Sequence, residues 1–455
     1  MNTLTASHYR QAFDYISGSV DEVGARRLAL ERFLAQGLPD VHDEDWKYTR
    51  LDHLDAAPLH APIRAVSPAR GTPAGSPLLR SDPSAAPARG TPPDARPSGG
   101  LGAAPAVSGY PGQVLAFANG RLVSAELKSG TVLAGSLASH TGALAVQQYL
   151  GQVAGEAALT QLNAALWQDG AYLHLPADSH PDQALFVVHT AGEADAMLHL
   201  RHLVILEAGA SAVLVEHYTG TADTPYWNNI VTEIVLGAGA RLTHIVLTEE
   251  SAAATHTSRV AVQQARDSSY HALTANLGGR LARREVSVNL GEAGAGCQLD
   301  GLFIADARRH VDHHLHVEHA APHTTSRQTW RGMAAGRGRG IFDARVVVQP
   351  GAQKADALQS SRNLLLSPHA EIDVKPQLEI YNDDVKCGHG ATVGQLDEAQ
   401  VFYLRSRGID ADAARALLLR GFAEEALGLL AGTGLREWME PHWVAALPIE
   451  MENPA

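Results

Sequence analysis

One phrase recurs through the middle of this chain: a short apolar run, then a break of small residues. His199-Leu200-Arg201-His202-Leu203-Val204-Ile205-Leu206 runs into Glu207-Ala208-Gly209-Ala210-Ser211-Ala212, and strand texture returns at Val213-Leu214-Val215-Glu216. The phrase comes again from Ile234 to Leu242, and from Val286 to Gly291 leading to Ala295-Gly296-Cys297-Gln298-Leu299. Later copies run from Val346 to Ala352 and from Leu364 to Ile372. The copies are unevenly spaced, so there is no strict period. Short strands with small residues at the turns suit a β-helix, where each coil hides its backbone edges and apolar surface against the next. An antiparallel sandwich shows the same alternation, so the residues alone leave both open. Aromatics make up only 5% of the chain and glycines number 42, which favours thin, repetitive β-layers over one bulky core.

The flanks read differently. Residues 1–63 form an N-terminal helical region: Leu28, Leu30, Phe33 and Leu34 supply an apolar stripe, and Gly37-Leu38-Pro39 stops it. Residues 64–109 are rich in Pro, Ala, Gly and Ser, and Arg-Gly-Thr-Pro occurs twice. Such a segment buries too little apolar surface to offset its chain entropy, and is expected to be a disordered linker. Residues 110–170 hold a hairpin around Asn119-Gly120 and two short helices. The β-helix core is expected over 171–401 and a C-terminal helical domain over 402–455. Asp410 is a natural N-cap there, and Pro441 is expected to kink or split the last helix.

At 455 residues the chain is long enough for several domains or one long solenoid with appendages. The formal charge of −13 argues against a nucleic-acid partner, which would need a basic face. Two cysteines make no disulfide framework, so a reducing compartment is expected. No cationic leader precedes an apolar run, and no stretch approaches a membrane span. The expected address is cytoplasmic, with no membrane partner.

Most of the chemistry gathers between Lys375 and Thr392, where Glu379, Asp383, Asp384, Cys387 and His389 lie within eleven residues. If Val385 to His389 is extended, Cys387 and His389 project from one face. A thiolate and an imidazole suit zinc, iron or an Fe–S cluster, but such a site needs about four ligands. The remainder must come from elsewhere in the chain or from a partner. Cys387 also reads as a buried core thiol, as does Cys297. Asp383 and Asp384 would either assist iron or simply end a coil. The run His310, His313, His314, His316, His319, His323 is the densest in histidine. On a strand, Leu315 and Val317 face inward while Asp312, His314, His316 and Glu318 share the other face, a pattern open to a mononuclear metal site or to a solvated face. Gly336-Arg337-Gly338-Arg339-Gly340 lacks the Lys-Ser/Thr of a phosphate loop, so any ATP hydrolysis must come from another chain.

The stretch Lys-Pro-Gln-Leu-Glu-Ile-Tyr-x-Asp-Asp-Val-Lys-Cys-x-His-Gly-Ala-Thr-Val-Gly from Lys375 closely resembles the SufD signature of the SufB/SufD family, subunits of the SufBCD Fe–S cluster assembly complex. Trp330-Arg331-Gly332, Gly340-Ile341-Phe342, Asn363 to Ser367 and Phe402 to Ile409 carry the likeness onward. It is visible again at Trp46-Lys47-Tyr48-Thr49. Gly388 stands where the family usually has Ser, and Ala344 where it usually has Gly. The resemblance implies a mainly β fold, a right-handed parallel β-helix between N-terminal and C-terminal helical regions. It implies a scaffold that is not itself an enzyme, working with a SufB-like paralogue and a SufC-like ATPase. It further implies a transient Fe–S cluster shared with the partner, with His389 the leading ligand. The C-terminal helices, with Leu417 and Phe422, would receive the ATPase. A homodimer is expected when the chain is alone, and flavin binding is left open. The other classes weighed are a β-helix enzyme acting on polysaccharide and a metalloprotein using the His310–His323 run.

Overall fold

The computed structural model describes residues 3–14, 20–56, 59–62, 109–128 and 132–449, so nearly all of the 64–109 linker lies outside the described residues. The described chain forms a parallel β-solenoid of about 8 turns between N-terminal and C-terminal helices. Strands alternate between a ten-stranded and a nine-stranded sheet, so each coil adds one rung to each. The ladders are parallel: Thr255 pairs with Leu281, Leu281 with His310, His310 with Arg339, and Arg339 with Glu371. That rules out the antiparallel sandwich.

The small-residue breaks have a backbone cause. At six successive turns a residue adopts positive φ: Gly209, Gly239, Asp267, Gly294, His323 and Lys354. The N–H of each donates to a carbonyl in the next coil, from Gly209 to Ala238 through to Lys354 to Asp384. Glycine enters this left-handed region freely, and Asp more readily than most other residues. At Gly209 and Gly294 an added Cβ would also collide with Asp178 and Asp267.

Between the sheets, side chains stack coil on coil. Val204, Ile234, Val262, Val288, Val317, Val346 and Leu378 form one inward ladder. Each fully buried aliphatic residue contributes about 1.5–3 kcal/mol. The outer faces are covered too, as parallel sheets require. On the ten-stranded sheet, Phe186, Val215, Ile245, Leu273 and Ile304 pack against Leu419, Leu430, Met439 and Trp443 of the C-terminal helices. On the nine-stranded sheet, Met197, Trp227 and Leu281 receive Phe33, Trp46, Leu51 and Leu162.

The hairpin is part of the solenoid. Asn119 and Gly120 make its two-residue turn with φ of 44° and 78°. Its first strand, Gly112–Ala118, pairs in parallel with Ala184–Ala191. Asp410 caps the helix Ala411–Glu424 by accepting from the N–H groups of Asp412 and Ala413. Pro441 lies inside the helix Arg436–Ala445 without dividing it.

One buried carboxylate ties the 144–166 segment to the coils. Glu233, fully buried, accepts from Arg201 Nη2 at 2.7 Å and from the N–H groups of Gly151, Val153 and Ala154. Glu233→Ala would strand a buried guanidinium and three donors. It is expected to cost about 3–5 kcal/mol, read as a large drop in thermal midpoint.

Candidate functional site

The two ends of the solenoid differ. At the N-terminal end the sheets finish in antiparallel strands, Arg121–Glu126 and Leu133–Ser136. At the other end they finish in Glu371–Ile380 and Lys386–Gly394, the last strands of the nine- and ten-stranded sheets. The Lys375–Thr392 motif is therefore the terminal coil. Pro376 fits there because an edge strand tolerates a residue without an N–H.

The register explains the motif. Cys387 pairs with Ala357 and His389 with Gln359. Cys387 is half-buried against the solenoid core, and the two-residue period gives His389 the same inward-directed face. Gln359 is buried and donates to Gln328 Oε1 and to the Ala344 carbonyl, at 3.3 and 3.2 Å. The inner ladder Gln328–Gln359–His389 thus ends in an imidazole that no further coil covers, and His389 is exposed. Burial raises the Cys387 thiol pKa, which opposes the thiolate that metal binding needs. Residue 388 points to the opposite face, beside Leu358, where a Cβ would meet Leu358 Cδ1 at an ordinary 3.6 Å. The hydroxyl that Gly388 lacks therefore would not stand on the face of His389. Asp384 continues the turn ladder: its carbonyl accepts from the Lys354 N–H, and its carboxylate meets Lys354 Nζ at 2.6 Å. That is the work of a coil turn. Asp383 is exposed beside it.

These four side chains do not close a metal site by themselves. Among the described residues, one group brings three ligand atoms together, His217, Glu249 and His442, and it lies elsewhere. The His310–His323 run does not converge either, which corrects the mononuclear-metal reading of it. Asp312, His314, His316 and Glu318 share the outer face as the alternation predicts, with His313 and His319 buried inward, but among the described residues no three ligand atoms of the run come within 4.8 Å of one another. Asp312 is taken by the Arg283 guanidinium at 2.5 Å, by His314 at 2.9 Å and by the Thr49 hydroxyl at 2.5 Å. Arg283 lies over the Trp46 ring at 3.8 Å. Trp46 to Thr49 is thus the clamp that seats the N-terminal region on the solenoid.

The C-terminal helices offer a second surface. Phe402, Tyr403 and Leu417 are 71%, 55% and 52% exposed on Glu398–Arg405 and Ala411–Glu424. Phe422 faces the other way, packed against the cluster that joins helices to sheet, with the Arg331 guanidinium 5.8 Å from its ring.

A solenoid of this kind, ending in this coil, defines a class. The family described as "SUF system FeS cluster assembly, SufBD core domain" matches residues 187–422, and the chain belongs to that family. It is 32% identical over 433 residues to an iron–sulfur cluster assembly SufBD family protein of Synechocystis, covering 90% of this chain and 88% of that one. With the iron–sulfur cluster assembly protein SufD of Escherichia coli it shares 29% over 412 residues, 90% of this chain and 89% of the relative. With SufD of Bacillus subtilis it shares 28% over 283 residues, 61% and 64% of the two chains. No helix among the described residues is long and apolar enough to cross a membrane.

The residues carried no local sign of a buried polar file inside the solenoid. His189, His202, Glu216, Tyr218, His244, His256, Arg284 and His313 all face inward and are buried. Glu216 accepts from the Tyr218 hydroxyl at 2.5 Å and meets His244 Nε2 at 3.1 Å. His189 stacks on Tyr218 at 4.7 Å, and His313 lies 4.6 Å from Trp330. Polar residues at inward positions of successive strands were the available signal, but they are spread over more than a hundred residues.

Proposed function

We propose that this chain is a SufD-type scaffold subunit of a cytoplasmic SufBCD complex, without catalysis of its own. A SufB-like paralogue docks on the open end of the solenoid. A nascent Fe–S cluster, the cargo of the complex, forms across that interface with His389 as the ligand from this chain. A SufC-like ATPase docks on the C-terminal helices and supplies the ATP hydrolysis. In the absence of the paralogue, a second copy of the chain takes the same end.

The observation that carries this reading is the uncapped terminal coil. Its two edge strands offer unpaired backbone groups, a template for another strand. Tyr381 and Val393 stand 59% and 44% exposed beside them, and His389 opens onto the same end. A cluster needs about four ligands, more than this coil provides, so a shared site follows.

Co-expression of the three chains, with one affinity tag on this chain, tests the two docks separately. Tyr381→Lys with Val393→Lys should lose the paralogue and keep the ATPase, since lysine blunts an edge. Leu417→Asp should do the reverse and stay folded, because the residue is exposed. Retention of both partners by both variants would overturn the assignment of the docking surfaces.

A further inference from the structure

The group His217, Glu249 and His442 lies apart from the open end, on the outer face of the ten-stranded sheet. His217 projects from the strand Ser211–Gly220 and Glu249 ends the neighbouring strand Arg241–Glu249. His442 comes from the helix Arg436–Ala445 that packs across them. Glu249 Oε2 lies 2.9 Å from His217 Nε2 and 2.8 Å from His442 Nδ1, and all three ligand atoms fall within 4.8 Å of one another.

Three further features suit a ligand set. The Tyr110 hydroxyl lies 2.9 Å from His217 Nδ1, so the ring is held by its far nitrogen, as metal-binding imidazoles usually are. The Trp438 ring stands 5.8 Å from His217 and 5.1 Å from His442, an apolar wall that restricts both rings. The His217 side chain is 5% exposed while those of Glu249 and His442 are 28% and 27% exposed, so the anchor is fixed and the mouth reaches solvent.

We propose that His217 Nε2, Glu249 and His442 Nδ1 bind one borderline divalent cation, Zn²⁺ or Fe²⁺, with water completing the shell. Two imidazoles and one carboxylate suit both ions. Calcium and magnesium prefer an all-oxygen shell, and copper(I) prefers sulfur. The ion joins the last long helix to two strands of the solenoid, so it staples the C-terminal helices to the coils. This holds whether or not those helices receive an ATPase.

The test uses the untagged full chain, stripped with chelator and titrated by calorimetry with Zn²⁺ and, anaerobically, with Fe²⁺. One ion per chain is expected, with a rise in thermal midpoint that chelator reverses. His442→Ala and His442→Gln should each weaken binding by at least about 100-fold, and Tyr110→Phe by about 10-fold. His389→Ala should bind normally, which separates this site from the terminal coil. The stronger of the two titrations names the ion. No stoichiometric binding of either metal by the wild-type chain, or binding unchanged in both His442 variants, would reduce the group to a hydrogen-bonded latch and overturn the proposal.

Discussion

His389→Ala is expected to leave a folded subunit and an intact complex that no longer holds its cluster. The imidazole is exposed at the end of the inner ladder and packs against no further coil, so its removal should change stability by less than about 0.5 kcal/mol. One side chain is a small part of a protein–protein interface, so co-purification with both partners should persist. The cluster, however, loses one of about four ligands, and the visible chromophore and bound iron should fall sharply after reconstitution. Cys387→Ala is the internal control. Half-buried against the core with its thiol pKa raised, Cys387 should cost about 1–2 kcal/mol on truncation and spare the cluster. Normal iron content in His389→Ala, with assembly unaltered, would reduce the motif to a structural coil. The same experiment on His442→Ala should leave the cluster intact, which keeps the two sites distinguishable.

Much of this architecture was legible because its physics is local. The coil turns need positive φ, so glycine or another small residue marks them, and Gly209, Gly239 and Gly294 show up as breaks between apolar runs. The strict repeat stayed hidden because Asp267, His323 and Lys354 hold the same conformation with other side chains, and because the coils differ in length. Asp410 marked a helix start because an N-cap is read within three residues. The common face of Cys387 and His389 followed from the two-residue period. The openness of the coil that carries them did not, because it depends on no strand being added beyond Gly394. The His310–His323 run divides in the same way. Alternation correctly put Asp312, His314, His316 and Glu318 on one face, but Arg283 and Thr49 claim Asp312 from far along the chain, which no local pattern shows. His217, Glu249 and His442 left no sequence signal, for only the packing of the last helix across the sheet brings them together.

The buried histidines make a large pH effect the last expectation. His189, His199, His202 and His313 are all buried, and burial is the leading cause of lowered pKa at each, to about 3 at His199 and His313. Glu216 offsets part of this at His202 without reversing it. The folded chain therefore keeps these rings neutral while the unfolded chain protonates them near their ordinary value of 6.5. Stability is unaffected above that value and falls below it, because the unfolded state binds the extra protons. Each ring that stays neutral costs about 1.4 kcal/mol per pH unit, so His199 and His313, held to about 3, together cost about 4 kcal/mol at pH 5, and His189 and His202 shift stability in the same direction. That is a large fraction of the whole stability of a typical domain, about 5–15 kcal/mol. Carboxylates do not explain a loss in this window. Glu249, drawn down to about 2, contributes stability that is complete above its ordinary 4.5 and is lost only as the pH falls from there. The thermal midpoint should hold steady from pH 8 to 7 and drop steeply from 6.5 to 5, although Asp300, raised to about 6 by burial, takes up a proton in the folded chain over the same range and returns part of the loss. His189→Phe keeps a ring against Phe117 and Tyr218 but removes one titrating group, so it should flatten the slope by about one proton. A midpoint that stays flat down to pH 4.5 would mean that these rings accept protons inside the folded solenoid.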